Sequence, residues 1–104
     1  MEASTEKLEN GWVVVTISGR VDAHTSPELD TYCHARLDEG VTSLALDISG
    51  VQYMSSAGLR VLLSVLKEMG KRNGKLVLLK PQDNVREILE ISGFSKIFTI
   101  SDKL

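Results

Sequence analysis

The sequence predicts a small α/β domain, with a mostly parallel β-sheet, one antiparallel N-terminal strand and helices packed on the sheet. Three short apolar runs are typical of buried strands: WVVVTIS (12–18), SLALDI (43–48) and KLVLLK (75–80). Each run is followed by a segment whose apolar residues recur at helical spacing. Apolar strands that alternate with amphipathic helices favour parallel pairing through right-handed crossovers.

The length and composition indicate one globular domain. The 104 residues suffice for a single core, so we expect one domain over residues 1–104. The hydrophobic share of 42%, and a net charge of −2 made of interspersed charges, argue against disorder and against a basic nucleic-acid-binding face. No apolar run approaches the about 20 residues that span a bilayer, and residues 1–10 lack the apolar centre of a signal peptide. We therefore expect a cytoplasmic protein that binds neither nucleic acid nor membrane.

The first strand and first helix are predicted from local signals. Asn10-Gly11 is a strong hairpin-turn pair, so a strand at about Ser4–Glu9 should pair antiparallel with the next strand. Thr25 is predicted to cap the first helix, with Glu28 closing a capping box. The apolar face of this helix is predicted at Leu29, Tyr32, Cys33 and Leu37.

The C-terminal half continues the alternation. Ser49-Gly50 is predicted to turn the chain, and a long helix should follow at about Ala57–Met69. A third helix opens at Pro81 and stops at Gly93, and Ile97–Ile100 is predicted to be the last strand. The apolar face of the third helix is predicted at Val85, Ile88, Leu89 and Ile91.

Functional residues in open parallel sheets collect where strands end and helices begin. Two such loops, Asp22–Thr25 and Val51–Ser56, should lie close together at one end of the sheet. Ser56 is predicted to be the N-cap of the long helix, where its hydroxyl would accept a backbone hydrogen bond. Gly58 costs about 1 kcal/mol of helix propensity relative to alanine without an evident structural role, which favours a functional one.

A phosphate on Ser56 would suit this position. The positive end of the helix dipole and its free N–H groups would receive the anion, so the fold would tolerate it. The surface would change from neutral to a charge of about −1.5 to −2, with Asp22 and Asp47 adding repulsion against a docking partner. On the alternative interpretation, the Ser56 hydroxyl is only a helix cap.

Three segments resemble STAS domains, and anti-sigma factor antagonists in particular. DISGVQYMSSAGL (47–59) resembles the family's signature loop and helix start. GRVD (19–22), followed by SPEL (26–29), resembles its first loop, and VREILEISGF (85–94) resembles its C-terminal helix. The resemblance spans nearly the whole chain in the family's order.

The resemblance implies a partner-switching cycle. In that cycle the unmodified antagonist binds an anti-sigma factor, which is also a serine kinase using ATP and Mg²⁺, and a sigma factor is released. The kinase phosphorylates the antagonist, and a PP2C-type phosphatase restores it. The family's acceptor serine maps onto Ser56, two residues before Gly58. The family often has aspartate just before the acceptor, whereas Ser55 stands here as a second candidate hydroxyl.

The partner is expected to contact both loops and the start of the long helix. Met54 could instead fill the core beneath its loop, and His24 could be merely solvated. The predicted partner-binding residues are Asp22, His24, Thr25, Met54, Ser55, Ser56, Ala57, Gly58 and Arg60.

Enzymatic and cofactor-binding motifs are not found. The sequence has no Gly-x-Ser-x-Gly elbow, no histidine placed to activate Ser56 and no Gly-rich phosphate loop. Its two histidines and single cysteine lack metal-ligand spacing. We therefore expect a binding protein without catalytic residues, cofactor or metal. The alternative function is a non-phosphorylated STAS scaffold subunit of a lipid-transport or stress-sensing complex.

Overall fold

The computed structural model describes residues Met1–Leu104. The five strands form one sheet in chain order, in which the first strand is antiparallel to the second and all other pairs are parallel. The predicted α/β class with one antiparallel N-terminal strand is confirmed. The chain runs through β1 (Glu2–Lys7), β2 (Val13–Val21), α1 (Ser26–Asp38), β3 (Ser43–Met54), α2 (Ser56–Lys71), β4 (Lys75–Leu79), α3 (Asp83–Ile91), a 3₁₀ turn (Phe94–Lys96) and β5 (Thr99–Ser101).

One face of the sheet carries the core. Buried residues alternate with half-buried or exposed ones along β2, and they align in register with buried residues of β3 and β4. Right-handed crossovers, which are the general rule, between strands that neighbour each other in chain order carry successive helices to one face of the sheet. Strands and helices contribute to one buried cluster that includes Val13, Val15, Leu44, Leu46, Leu76, Leu78, Leu29, Leu62 and Val85.

β3 is longer than predicted. It extends to Met54, so the prediction that Ser49-Gly50 turns the chain is wrong. β3 instead stays paired with β2, and the ladder absorbs the irregularity through register shifts around Ser18 and Gly19. Gly50 permits a close approach there, because an added Cβ would lie 3.0 Å from the Cβ of Ser18. Both strands therefore reach the same edge of the sheet, at Val21 and Met54.

The two ends of the sheet differ slightly from the prediction. β1 runs Glu2–Lys7 rather than Ser4–Glu9, because residues 8–12 form the hairpin loop. A bond of 2.8 Å from the Leu8 N–H to the Trp12 carbonyl closes this loop. At the other end, the 3₁₀ turn at Phe94–Lys96 delays the start of β5 to Thr99.

Each helix buries one set of residues against the rest of the chain. Val85 and Leu89 of α3 are buried, but Ile91 is 79% exposed, so its predicted place on the apolar face is wrong. Ile91 lies about 240° around the helix from Val85, since each residue advances about 100°. No helix has the length and apolarity needed to cross a bilayer. The predicted face of α1 is confirmed, with buried Leu29, Cys33 and Leu37 and half-buried Tyr32.

Two alanine substitutions test which side chains belong to the buried cluster. Leu46 is fully buried in the central strand, so Leu46→Ala should lower the free energy of unfolding by about 2–5 kcal/mol. The control Ile91→Ala should change it by less than about 0.5 kcal/mol, because the side chain is already exposed. Urea unfolding followed by circular dichroism measures both, and equal losses would contradict the assignment of the core.

Candidate functional site

The site lies where β2 and β3 end and α2 begins. Val21 and Met54 are register partners at these strand ends. The Ser55 N–H donates to the Val21 carbonyl at 2.8 Å, and the Leu59 N–H then donates to the Ser55 carbonyl at 3.0 Å to open α2. The end of β2 and the start of α2 are thus joined by one backbone bond, and the two loops predicted to be neighbours are neighbours.

The loop after β2 is a closed turn organised by Asp22. Its Oδ1 atom accepts hydrogen bonds from the N–H groups of His24 and Thr25, each at 3.0 Å. The Thr25 backbone N–H is the main cause that holds the pKa of Asp22 below its usual value. The Asp22 carboxylate therefore stays ionised and shapes the loop.

Thr25 does not cap α1 in the predicted way. Its Oγ1 atom accepts from the Asp22 N–H at 3.0 Å and donates to the Arg20 carbonyl at 3.0 Å. No side-chain cap bond forms at this helix start, so the capping box predicted with Glu28 is wrong. The hydroxyl is used to fasten the loop instead, and Thr25 supports the site rather than presenting a free group.

Ser55, not Ser56, is the N-cap of α2. Ser55 has extended backbone dihedral angles, and its hydroxyl accepts from the Gly58 N–H at 3.4 Å. Ser56 is the first helical residue, so the prediction that it caps the helix is wrong by one position. The reason is the bond from Ser55 to Val21, which fixes Ser55 at the junction.

The two serines consequently differ in what their hydroxyls can do. Ser55 is half-buried and its hydroxyl is engaged, whereas Ser56 is exposed and its hydroxyl has no partner within the chain. The backbone N–H groups of Ser56 and Ala57 also make no hydrogen bond within the chain, as expected for a first helical turn. The start of α2 therefore presents one free hydroxyl beside two free backbone donors.

Met54 and Gly58 belong to the core side of this junction. Met54 is only 2% exposed, and Gly58 is buried as well. A Cβ on Gly58 would lie 2.4 Å from Met54 Sδ and 2.8 Å from Val21 Cγ1. Both residues are therefore buried in the chain rather than exposed for a partner, and the inference that Gly58 lacks a structural role is wrong. Gly58 lets α2 pack directly on the strand ends.

Arg20 and Tyr53 extend the exposed surface and were missed by sequence reasoning. They are register partners on β2 and β3, with the Arg20 guanidinium 4.4 Å from the centroid of the Tyr53 ring. Tyr53 is 37% exposed. The Arg20 Nε atom also lies 3.9 Å from Asp22 Oδ2. Little in the sequence indicated this pair, because both residues lie beyond the predicted ends of β2 and β3.

Asp47 does not contribute the predicted repulsion. It lies in the first half of β3, seven residues or about 23 Å along the strand from Met54. Partial burial favours a raised pKa for Asp47, but hydrogen bonds from Ser49 and the Lys80 charge outweigh it and lower the pKa. The Lys80 Nζ atom lies 3.7 Å from Asp47 Oδ2, so this carboxylate is already paired.

We give the name docking surface to the exposed groups around the start of α2, as the candidate site for a partner. His24 and Arg60 are exposed, as predicted, and Ala57 is half-buried. The Arg20–Tyr53 pair lies one residue before the strand ends at Val21 and Met54. The residues of the docking surface are Arg20, His24, Tyr53, Ser56, Ala57 and Arg60.

Comparison with known proteins identifies the family. The STAS domain model matches residues 3–104, so the chain belongs to the STAS family. A Bordetella bronchiseptica protein described as a candidate anti-sigma factor antagonist, BtrV, is 35% identical over 102 residues, covering 98% of this chain and 87% of that protein. The anti-sigma-B factor antagonist of Listeria monocytogenes is 33% identical over 92 residues, covering 85% of this chain and 77% of that protein. The predicted kinship with anti-sigma factor antagonists is confirmed.

Solved structures show the same fold. The anti-sigma factor antagonist SpoIIAA in its unphosphorylated form has a TM-score of 0.75 at 19% identity, covering 99% of this chain and 90% of that chain. The Bacillus protein SpoIIAA in its phosphorylated form has a TM-score of 0.73 at 20% identity, covering 95% of this chain and 90% of that chain. The two solved forms differ in phosphorylation, and both retain the fold of this chain.

Gly58→Ala tests the packing of the junction. The added methyl group collides with Met54 and Val21, so the free energy of unfolding should fall by about 1–3 kcal/mol despite the gain in helix propensity. The control is Gly70→Ala in the same helix, where an added Cβ meets nothing within 4 Å and stability should rise by up to about 1 kcal/mol. Chemical denaturation gives both values. A stabilised Gly58→Ala variant would show that the close contact is not required.

Proposed function

We propose that this chain is an anti-sigma factor antagonist whose docking surface binds an anti-sigma factor in the unmodified state and is switched off by phosphorylation of Ser56. The observation that carries the proposal is the free, exposed hydroxyl of Ser56 at the first position of α2, beside a neighbouring serine that already caps the helix. The kinship with anti-sigma factor antagonists supports the partner class.

The local geometry supports Ser56 over Ser55 as the acceptor. A kinase needs a hydroxyl that reaches its active site, and Ser56 is exposed while Ser55 is half-buried. The Ser55 hydroxyl is also engaged as the acceptor for the Gly58 N–H, whereas the Ser56 hydroxyl has no partner within the chain. Modification of Ser56 leaves that cap intact.

The energetics support a switch in binding rather than in folding. A phosphate at the first helical position lies beside the free N–H groups of Ser56 and Ala57 and near the positive end of the helix dipole. The folded state therefore accommodates the added charge of about −1.5 to −2. A partner that covers Ser56 would have to desolvate that charge, which weakens the complex.

The proposed cycle has two further partners. The anti-sigma factor acts as the serine kinase, using ATP and Mg²⁺, and a PP2C-type phosphatase removes the phosphate. Release of the sigma factor by the unmodified antagonist then regulates transcription, and we place this exchange in the cytoplasm. In this cycle the chain is a kinase substrate and a binding protein, and it carries out no chemistry itself.

Phosphate transfer tests the acceptor assignment. The chain incubated with its anti-sigma factor kinase, ATP and Mg²⁺ should gain one phosphate by intact-mass spectrometry. Ser56→Ala should abolish the gain, whereas Ser55→Ala should keep it, because the Ser55 hydroxyl serves as the cap. Phosphate arriving on Ser56→Ala, and lost on Ser55→Ala, would reverse the assignment.

A charge placed at position 56 tests the switch itself. Ser56→Asp should weaken binding of the anti-sigma factor at least about 10-fold, corresponding to about 1.4 kcal/mol, in isothermal titration calorimetry. Ser64→Asp is the matched control, since it adds the same charge to exposed α2 two turns further along. Equal affinities of the two variants would mean that the chain is a plain adaptor, as in the scaffold alternative.

A further inference from the structure

Arg60 is the one arginine of this chain without an acidic partner. The other four are paired: Arg20 with Asp22, Arg36 with Glu39, Arg72 with Asp38 and Glu68, and Arg86 with Asp102. Arg60 is exposed and forms no ion pair, hydrogen bond or cation–π contact. A free guanidinium, with its five donors in a planar fork, is suited to carboxylate or phosphate groups.

Arg60 lies one helical turn after Ser56. Residues four apart on an α-helix share a face, with about 5–6 Å between their Cβ atoms, and both side chains are exposed. The first turn of α2 holds no acidic residue that would compete for the guanidinium. In the neighbouring loop, Arg20 and Asp22 are already paired with each other.

We propose that Arg60 is a built-in partner for the phosphate on Ser56 and forms an ion pair with it across one turn of α2. This inference rests on the proposed function and adds a second effect of the modification. In the unmodified chain Arg60 is free to meet an acidic side chain of the anti-sigma factor. Once Ser56 is phosphorylated, the dianion occupies Arg60, and phosphorylation both adds an anion to the docking surface and withdraws its free cation.

Other cations on the same face of α2 lie too far from Ser56 to contact its phosphate. Lys67 and Lys71 continue the exposed face, but Lys67 lies 11 residues from Ser56, which is about 16 Å along the helix. A side chain at that distance cannot reach the phosphate, and salt screens most of its charge. Lys67 is therefore a control of equal charge on the same helix face.

The ion pair can be measured without any kinase. Phosphoserine is incorporated at position 56 during synthesis, and the second pKa of its phosphate, ordinarily about 6, is followed by ³¹P NMR. An exposed pair one turn apart should lower this pKa, so Arg60→Gln should raise it by about 0.3 pH unit. Arg60→Lys should recover much of the shift, and Lys67→Gln should change the pKa by less than about 0.1 unit.

Two outcomes would overturn the inference. The phosphate pKa could be the same with Arg60 and with Arg60→Gln, or Lys67→Gln could raise it as much as Arg60→Gln does. Neither result would affect the proposed function, because the phosphate is installed directly. Conversely, failure of the kinase to modify Ser56 would count against the proposed function while leaving this measurement valid.

The affinity for the anti-sigma factor tests independently whether phosphorylation makes Arg60 unavailable to the partner. Arg60→Gln should weaken the complex of the unmodified chain with the anti-sigma factor, by about 3-fold or more. In the chain that carries phosphoserine at position 56, the same substitution should change the residual affinity much less, because Arg60 is already occupied. Equal effects in the two backgrounds would show that phosphorylation does not draw Arg60 away.

Discussion

The docking surface depends on one backbone hydrogen bond, from the Ser55 N–H to the Val21 carbonyl at 2.8 Å. This bond fixes the first residues of α2 against the end of β2. Gly58 then lets the helix approach the strand ends, since any side chain there would collide with Met54 and Val21. The backbone of Ser56 is thus held by strands and a helix rather than by a loop, so the position of this residue is set before a partner arrives.

Two adjacent serines have separate roles because their backbone positions differ. The Ser55 hydroxyl accepts a hydrogen bond from the Gly58 N–H, whereas the Ser56 hydroxyl makes no hydrogen bond within the chain. A change at Ser56 can therefore alter surface charge while the fold keeps its cap. In the proposed ion pair, Arg60 lies one helical turn from the phosphate and can contact it without movement of the backbone.

The periodicity of the sequence was enough to predict the class of fold, the parallel sheet and the edge where the site lies. It also predicted that Ser56 and Arg60 are exposed and that the loop with His24 lies next to the start of α2. It could not reveal that β3 continues past Ser49-Gly50, because that depends on register shifts with β2. The contacts of Gly58 and the pairing of Arg20 with Tyr53 follow from the same long-range alignment, so local patterns carried no trace of them.

The spatial order of the strands repeats their order along the chain. Each strand pairs with the strand that precedes it in the chain, so no strand is inserted between two that have already paired. The residues that hold the start of α2, namely Val21, Met54 and Gly58, all precede the end of that helix at Lys71. During synthesis the support for Ser56 is therefore complete in the nascent chain before β4 and β5 have been translated.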